Sequence, residues 1–368
     1  MQEMSGRFFT NGHELTAEEY REARRRTRIK RTEKRLERCD GSLGWFGKAL
    51  DLPISFDLAG MIREIEVNGS AGLYDEPKVI QKSHGGERII ITPKPELKRV
   101  QRGIHRLLLD VFKRPPISFG FRGGSCYEVA ERHQELPSTL KFDIKDAFFQ
   151  VGWAAVRKSM LRNSPFQRGT QGLSHLVTRW IASLCTYHNP VPLVVRERFP
   201  RVTSFLPQGS PASPICFDMA CWPLDAKLTH LAERVGGRVT RYADNYFFSM
   251  PTSRVSEKLR NIVVYDARRY GFPIHKIRRV AQGEMCRILG YNVYQDRVTN
   301  TRDFNRNLRG AIYVLRTRLE RDLEWHDAYA RVRGFLGFAV NTPEGLLQEY
   351  RHCEQLMQER SSKGAQST

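Results

Sequence analysis

The feature that most constrains this chain is a set of three short blocks in order: Phe142-Asp143-Ile144-Lys145-Asp146-Ala147-Phe148, then Leu206-Pro207-Gln208-Gly209-Ser210-Pro211, then Tyr242-Ala243-Asp244-Asn245. The first reads as a strand ending in an aspartate, the third as a hairpin turning at Asp244-Asn245. A strand of that kind beside such a hairpin brings two carboxylates, about a hundred residues apart in sequence, to one edge of a sheet. Each aspartate also has a purely local reading: Asp143 as a helix N-cap, and Asp244-Asn245 as a two-residue turn, which both residue types favour. Neither local role prevents metal ligation, because carboxylate oxygens are the hard donors magnesium takes. Asp146 opens the next helix and reads as a cap before it reads as a ligand.

The 368 residues carry 60 Lys and Arg against 40 Asp and Glu, a formal net charge of +20. A field of that sign serves polyanions such as nucleic acid. The charge is concentrated near the N-terminus, where Thr16 and Glu19 form a capping-box pattern ahead of a helix to about Arg38. Arg24, Arg25, Arg28 and Arg31 on that helix are candidate nucleic-acid contacts, and the segment suits RNA or a partner subunit. No apolar run approaches the roughly 18 residues of a membrane helix, and no signal-peptide pattern opens the chain. A cytoplasmic protein without a membrane partner is expected. The seven cysteines are scattered, with no C-x-x-C pair, and read as reduced thiols.

Periodicity fills in the rest. Helices are predicted near Leu58 to Val67, from Glu96 to Val111 and from Arg254 to Tyr270, with Ile89 to Ile91 as a strand after a Gly85-Gly86 turn. Leu173, Leu176, Val177, Trp180, Ile181 and Leu184 recur at helical spacing and read as core. A helix after Pro214 is expected to kink or break at Pro223. Ile288 to Val293 reads as one strand, residues from Asn305 to Met357 as helical, and the tail from Ser361 to Thr368 as disordered.

Together the three blocks resemble the palm of a reverse transcriptase, and the flanking sequence extends the likeness over about residues 80 to 350. Arg88, Ile90, Pro93, Leu97, Lys98, Gln101 and Arg102 match a fingers pattern of bacterial reverse transcriptases. Phe119 to Ser125, followed by Ala130 and His133, is similar to a segment of retron and related enzymes, with Val129 where retrons usually carry Asn. His133 itself reads as a hydrogen-bonded structural histidine. The resemblance implies an α+β right-hand polymerase divided into a basic N-terminal helix (1–40), fingers (41–140), palm (141–295), helical thumb (296–358) and a disordered tail (359–368). The palm is expected to be a mainly antiparallel sheet with helices on one face.

The resemblance also assigns roles. Asp143, Asp244 and Asn245 are the catalytic set, and Asp143, Asp244 and Ile144 the metal set, holding magnesium or alternatively manganese. Arg88 reaches the incoming triphosphate, Phe148 excludes a 2′ hydroxyl, Gln208 and Gly209 shape the nucleotide pocket, and Lys276 or Arg278 meets the leaving pyrophosphate. Tyr242 and Gly290 join the N-terminal arginines as nucleic-acid contacts. Asn245 departs from the family, whose members mostly carry a second aspartate there. The implied activity is RNA-directed DNA synthesis from dNTPs on a structured noncoding RNA, with a DNA product, in antiphage defence. A homo-oligomer or a partner protein is compatible with it. No recombinase, protease, integrase, RNase H or H-N-H nuclease signature accompanies the blocks, so a stand-alone bacterial type is expected. Two contexts fit, a retron enzyme working on its own structured RNA or a defence-associated reverse transcriptase of another bacterial group, and Ile288-Leu289-Gly290, in place of the V-T-G usual in retrons, points with Val129 toward the second. The alternatives are an RNA-binding scaffold with weakened catalysis and an RNA-dependent RNA polymerase.

Overall fold

The computed structural model describes residues 2–4, 7–10, 13–15, 19, 40–82, 85–112, 115–121, 124–163 and 173–366. Arg24, Arg25, Arg28 and Arg31, and nearly all of the helix expected from Thr16 to Arg38, lie outside the described residues. In chain order the elements are β1 (Gln2–Met4), β2 (Arg7–Thr10), β3 (His13–Leu15), α1 (Asp40–Ala49), α2 (Leu58–Asn68), β4 (Lys78–Gln81), β5 (Glu87–Ile90), α3 (Pro95–Val111), α4 (Cys126–Glu131) and β6 (Ser138–Ile144). They continue with α5 (Trp153–Asn163), α6 (Leu173–Cys185), β7 (Tyr187–His188), α7 (Leu193–Arg198), β8 (Ser204–Phe205), α8 (Ser213–Arg234), β9 (Arg238–Tyr242) and β10 (Asn245–Met250). The last are α9 (Glu257–Arg269), β11 (Ile274–Val280), β12 (Cys286–Ile288), β13 (Tyr291–Val293), β14 (Val298–Asn300), α10 (Arg302–Glu320), α11 (His326–Leu336) and α12 (Glu344–Gln366).

The chain forms two compact units, each built from three separated stretches: Met1–Pro116, Lys145–Asp225 and Arg269–Phe272 in the first, and Ile117–Ile144, Ala226–Arg268 and Pro273–Thr368 in the second. These units interleave along the chain, whereas the fingers, palm and thumb boundaries expected from sequence are consecutive. The first unit has an aromatic core in which Tyr74, Tyr187, Phe205, Phe149 and Phe199 follow one another at centroid spacings of 4.5–5.3 Å. Trp180, from the apolar stripe of α6, is fully buried against Phe46 of α1.

The second unit is organised around a four-stranded antiparallel sheet in the order β11-β6-β10-β9. Directly paired residues share a face, so Phe142 and Tyr246 lie together, and their rings stack at 4.9 Å. The opposite face carries Phe247, which joins Phe119, Val129, Ile288 and Tyr291 in a buried cluster. Helices α10, α11 and α12 enclose their own core around Leu308, Ile312, Leu315, Val332 and Leu346.

Several expectations from sequence are corrected here. α8 runs unbroken through Pro223. The donor that proline removes costs about 3 kcal/mol, and the buried Phe217, Cys221, Leu224 and Leu228 along the same helix offset it. Ile288 to Val293 is a hairpin, β12 and β13, because Leu289 and Gly290 both have positive φ (48° and 92°), the signature of a two-residue type I′ turn. The tail does not begin at residue 359: α12 extends to Gln366, held where Arg360 donates to the Leu323 carbonyl (3.1 Å) and pairs with Asp322. The β1-β2-β3 sheet and α1 had no counterpart in the sequence reading.

Candidate functional site

The sheet of the second unit aligns the chemistry. Lys276 of β11 pairs with Asp143 of β6, Asp143 with Asn245 of β10, and Asn245 with Tyr242 of β9. These four residues therefore form one cross-strand row at the end of the sheet, on one face. The two residues of the hairpin loop are Ala243 and Asp244, since Tyr242 and Asn245 are already paired; the turn expected at Asp244-Asn245 is shifted by one residue. Ala243 adopts φ +55°, which turns Asp244 out at the tip. Asp244 and Asp143 are thus carried on adjacent strands, and the Ile144 N–H donates to the Asp244 carbonyl (3.1 Å).

Both carboxylates are already oriented by N–H donors. The Lys276 main-chain N–H donates to Asp143 Oδ1 (2.8 Å), reached through a register shift between Ile274 and Lys276. Asn245 Nδ2 donates to Asp244 Oδ1 (3.0 Å). Lys276 is exposed and lies in the row with Asp143, whereas Arg278 pairs with Lys141 further down the sheet. The half-buried Tyr242 hydroxyl is held protonated to higher pH by its hydrogen bond with Cys126 and by burial. Among the described residues no group of three His, Cys, Asp or Glu side chains is clustered for metal binding. The carboxylates of Asp143 and Asp244 are hard oxygen donors, suited to a divalent cation rather than to a soft metal.

Beneath this row, buried His133 bridges Ser249 Oγ and Thr240 Oγ1 at 2.7 Å each, with Thr139 Oγ1 2.8 Å from the same serine. It ties β9 to β10, the two strands whose turn bears Asp244. Burial, then Arg238 and Arg132, lowers its pKa to about 3. It is structural, as its sequence context implies.

The first unit holds the second block. The loop is fixed to β5 and α3: Ile91 N–H donates to the Gln208 carbonyl (2.7 Å), Ser210 Oγ donates to Gln101 Oε1 (2.8 Å), and His105 Nδ1 lies 2.7 Å from the Pro211 carbonyl. Gln101 is itself buried, donating to the Leu184 carbonyl and to the Tyr74 hydroxyl. Gly209 has φ +123°, and a Cβ there would meet the Ile91 carbonyl at 2.9 Å, so only glycine fits. Gln208 Oε1 is buried without a hydrogen-bond partner. Phe148 is half-buried against Phe217, and its carbonyl accepts from Leu206 N–H (3.1 Å), while Phe149 is enclosed between Phe199 and Phe205.

Asp146 does not cap a helix. It sits at φ +47° before a four-residue 3-10 turn, makes no side-chain cap, and pairs with Arg198 at 3.1 Å. Arg198 also donates to the Glu87 carbonyl, next to exposed Arg88, and carried no signal in sequence. Sequence reasoning also passed over Arg241, whose fully buried guanidinium donates to the Ala243 carbonyl (3.2 Å). Its position beside the Tyr-Ala-Asp-Asn block was the available clue.

Residues 80–293, more than half of the chain, match the family model described as reverse transcriptase (RNA-dependent DNA polymerase). Retron Mx162 reverse transcriptase of Myxococcus xanthus is 33% identical over 259 residues, 64% of this chain and 51% of the relative. Retron Mx65 reverse transcriptase, from the same organism, is 30% identical over 223 residues, 58% of this chain and 50% of the relative. Retron Ec86 reverse transcriptase of Escherichia coli is 25% identical over 258 residues, 69% and 71%. The chain thus spans about half the length of its Myxococcus relatives. Among solved structures, a telomerase from Candida tropicalis in complex with a fragment of telomeric RNA aligns with TM-score 0.46 at 13% identity, covering 78% of this chain and 54% of that one.

Proposed function

The chain belongs to the reverse transcriptase (RNA-dependent DNA polymerase) family, and from that membership we propose that it extends a primer 3′ hydroxyl with deoxynucleotides along an RNA template. The observation that carries this reading is the row Lys276, Asp143, Asn245, Tyr242 with Asp244 at its tip, which sets two pre-oriented carboxylates at one end of adjacent strands.

Asp143 and Asp244, with the Ile144 carbonyl, are the residues that would hold magnesium, or manganese in its place. When bound, a pair of such cations activates an attacking hydroxyl and neutralises a leaving pyrophosphate. The protein's own part is to hold the ligands: Lys276 N–H fixes Asp143, and the Asn245 amide fixes Asp244. As the primer oxygen bonds to the α-phosphorus and pyrophosphate departs, the Lys276 ammonium offers charge and a proton at Nζ. Its place in the row favours it over Arg278, which pairs with Lys141 further down the sheet. Arg88 is assigned to the triphosphate, Phe148 to exclusion of a 2′ hydroxyl, and Gln208 and Gly209 to the nucleotide pocket; the orphaned Gln208 Oε1 supports that last assignment. Tyr242, Gly290 and the basic N-terminal segment are assigned to nucleic acid.

The net charge of +20 and the retron relatives favour a structured noncoding RNA as template, in a cytoplasmic antiphage role. No helix among the described residues is long and apolar enough to cross a membrane. Asn245 favours one second reading, an RNA-binding scaffold with little synthesis.

The test is to purify wild-type and Asp143→Ala proteins with their accompanying RNA and supply labelled dNTPs or rNTPs with magnesium or manganese. DNA product from the wild type alone is expected. RNA retention without product in either would replace the proposal with the scaffold reading, and extension with rNTPs only would replace it with an RNA polymerase.

A further inference from the structure

The Ala243-Asp244 turn does not rest on its own strands alone. Along the outer edge of β9, residues 117–119 run parallel to Arg241: Arg241 N–H donates to the Ile117 carbonyl (2.6 Å), and Phe119 N–H donates to the Arg241 carbonyl (2.8 Å). The Arg241 side chain then reaches forward to the Ala243 carbonyl. The next residue, Gly120, abuts the turn itself. A Cβ at Gly120 would lie 2.4 Å from Ala243 N, 3.2 Å from Ala243 Cα and 3.3 Å from the Tyr242 carbonyl carbon. All three are main-chain atoms of the hairpin, so no side chain can swing aside to make room. Ala243 meanwhile holds φ +55°, a left-handed conformation that alanine adopts only when its surroundings impose it.

We infer that Gly120 is a positioning residue for Asp244: its bare Cα lets the 117–120 segment press on the Ala243 main chain and so sets where the Asp244 carboxylate stands. The inference rests on the proposed polymerase reading for its catalytic consequence, but not for its structural one. Ordinary van der Waals contact begins near 3.4 Å, so a methyl group at Gly120 must push the turn by about an ångström, a displacement that costs a positioned catalytic group on the order of a hundredfold. Gly124 supplies the control. A Cβ there would meet the Phe119 carbonyl oxygen at 2.6 Å, and its three nearest neighbours are all atoms of Phe119 and none of the turn.

Gly120→Ala and Gly124→Ala are therefore compared in the full chain with its accompanying RNA. Gly120→Ala is expected to lower kcat for dNTP incorporation about a hundredfold with KM changed less than about threefold, because the contact acts on the reacting centre rather than on nucleotide affinity. Gly124→Ala at comparable melting temperature is expected to stay within about tenfold of wild type. Hydrogen exchange in the peptide spanning 241–245 should rise in Gly120→Ala and not in Gly124→Ala, a readout independent of activity. If the wild type incorporates nothing, the polymerase reading fails and this exchange comparison alone decides the inference. Should Gly120→Ala fail to fold, Gly120→Ala/Ala243→Gly, whose glycine lets the turn retreat, is compared with Ala243→Gly, and a tenfold lower kcat in the double variant is expected. Unchanged exchange at 241–245, or equal kcat losses for Gly120→Ala and Gly124→Ala, would overturn the assignment, as would equal kcat in the double variant and Ala243→Gly.

Discussion

Acid should loosen the sheet through one residue, His133. In the native protein it is neutral, 2% exposed and engaged at both ring nitrogens by Ser249 and Thr240. Burial, with Arg238 and Arg132, lowers its pKa to about 3 from an ordinary value of 6.5. The unfolded chain therefore takes up this proton first, and it holds more protons than the native state between pH 6.5 and 3. Stability is complete above pH 6.5 and is lost as pH falls through that window. Each pH unit below 6.5 costs about 1.4 kcal/mol, so at pH 5 the loss from this group is about 2 kcal/mol. Other groups titrate too, so the measurement is a difference: urea unfolding of wild type and His133→Asn at pH 7 and pH 5, read by pulsed hydrogen exchange in peptides spanning 238–250. The variant should be weaker at pH 7, by about 1–3 kcal/mol, because the two hydroxyls lose their shared partner. Between pH 7 and pH 5, however, the wild type should lose about 2 kcal/mol more than the variant. Parallel losses in the two proteins would refute the buried neutral histidine.

Two further predictions concern the groups that hold the site. Gln101→Leu leaves Ser210 Oγ, the Tyr74 hydroxyl and the Leu184 carbonyl without their partner, and should cost about 2 kcal/mol or more; thermal unfolding measures that, and KM for dNTP should rise as the 208–211 loop loosens. Asn245→Asp exchanges the donor on Asp244 Oδ1 for a like charge; thermal unfolding in chelator should show a lower midpoint than wild type and a larger rise on adding magnesium, and equal rises would count against Asp244 as a cation ligand.

What the sequence made legible was local. Hairpin chemistry at Tyr242 to Asn245, the strand ending at Asp143 and the stripe of α6 each declare themselves within a dozen residues, because turn preference and periodicity are short-range properties. What it hid was long-range. Nothing near residue 117 shows that it will lie against Arg241, and nothing near Gln101 shows that it will be buried against Ser210. The partner of Asp146 is hidden for the same reason: as a residue opening a helix it looks like a cap, and only Arg198, 52 residues on, explains where its carboxylate goes. The helical tail depends likewise on Asp322 and Leu323 meeting Arg360.

Asn245 is where the two kinds of information meet. From sequence it is a lost carboxylate, and a lost carboxylate means weaker attraction for a cation. In the fold the same amide is a donor to Asp244, and Lys276 N–H is a donor to Asp143. Two carboxylates on adjacent strands repel, and each is held in its own orientation by an N–H donor. A site with a third carboxylate would depend on its cation to hold these side chains in place, whereas this one can hold them beforehand. Asparagine therefore exchanges some attraction for preorganisation, and the cost and the gain fall on different measurements: cation affinity falls, while the geometry of Asp244 depends less on whether a cation is bound.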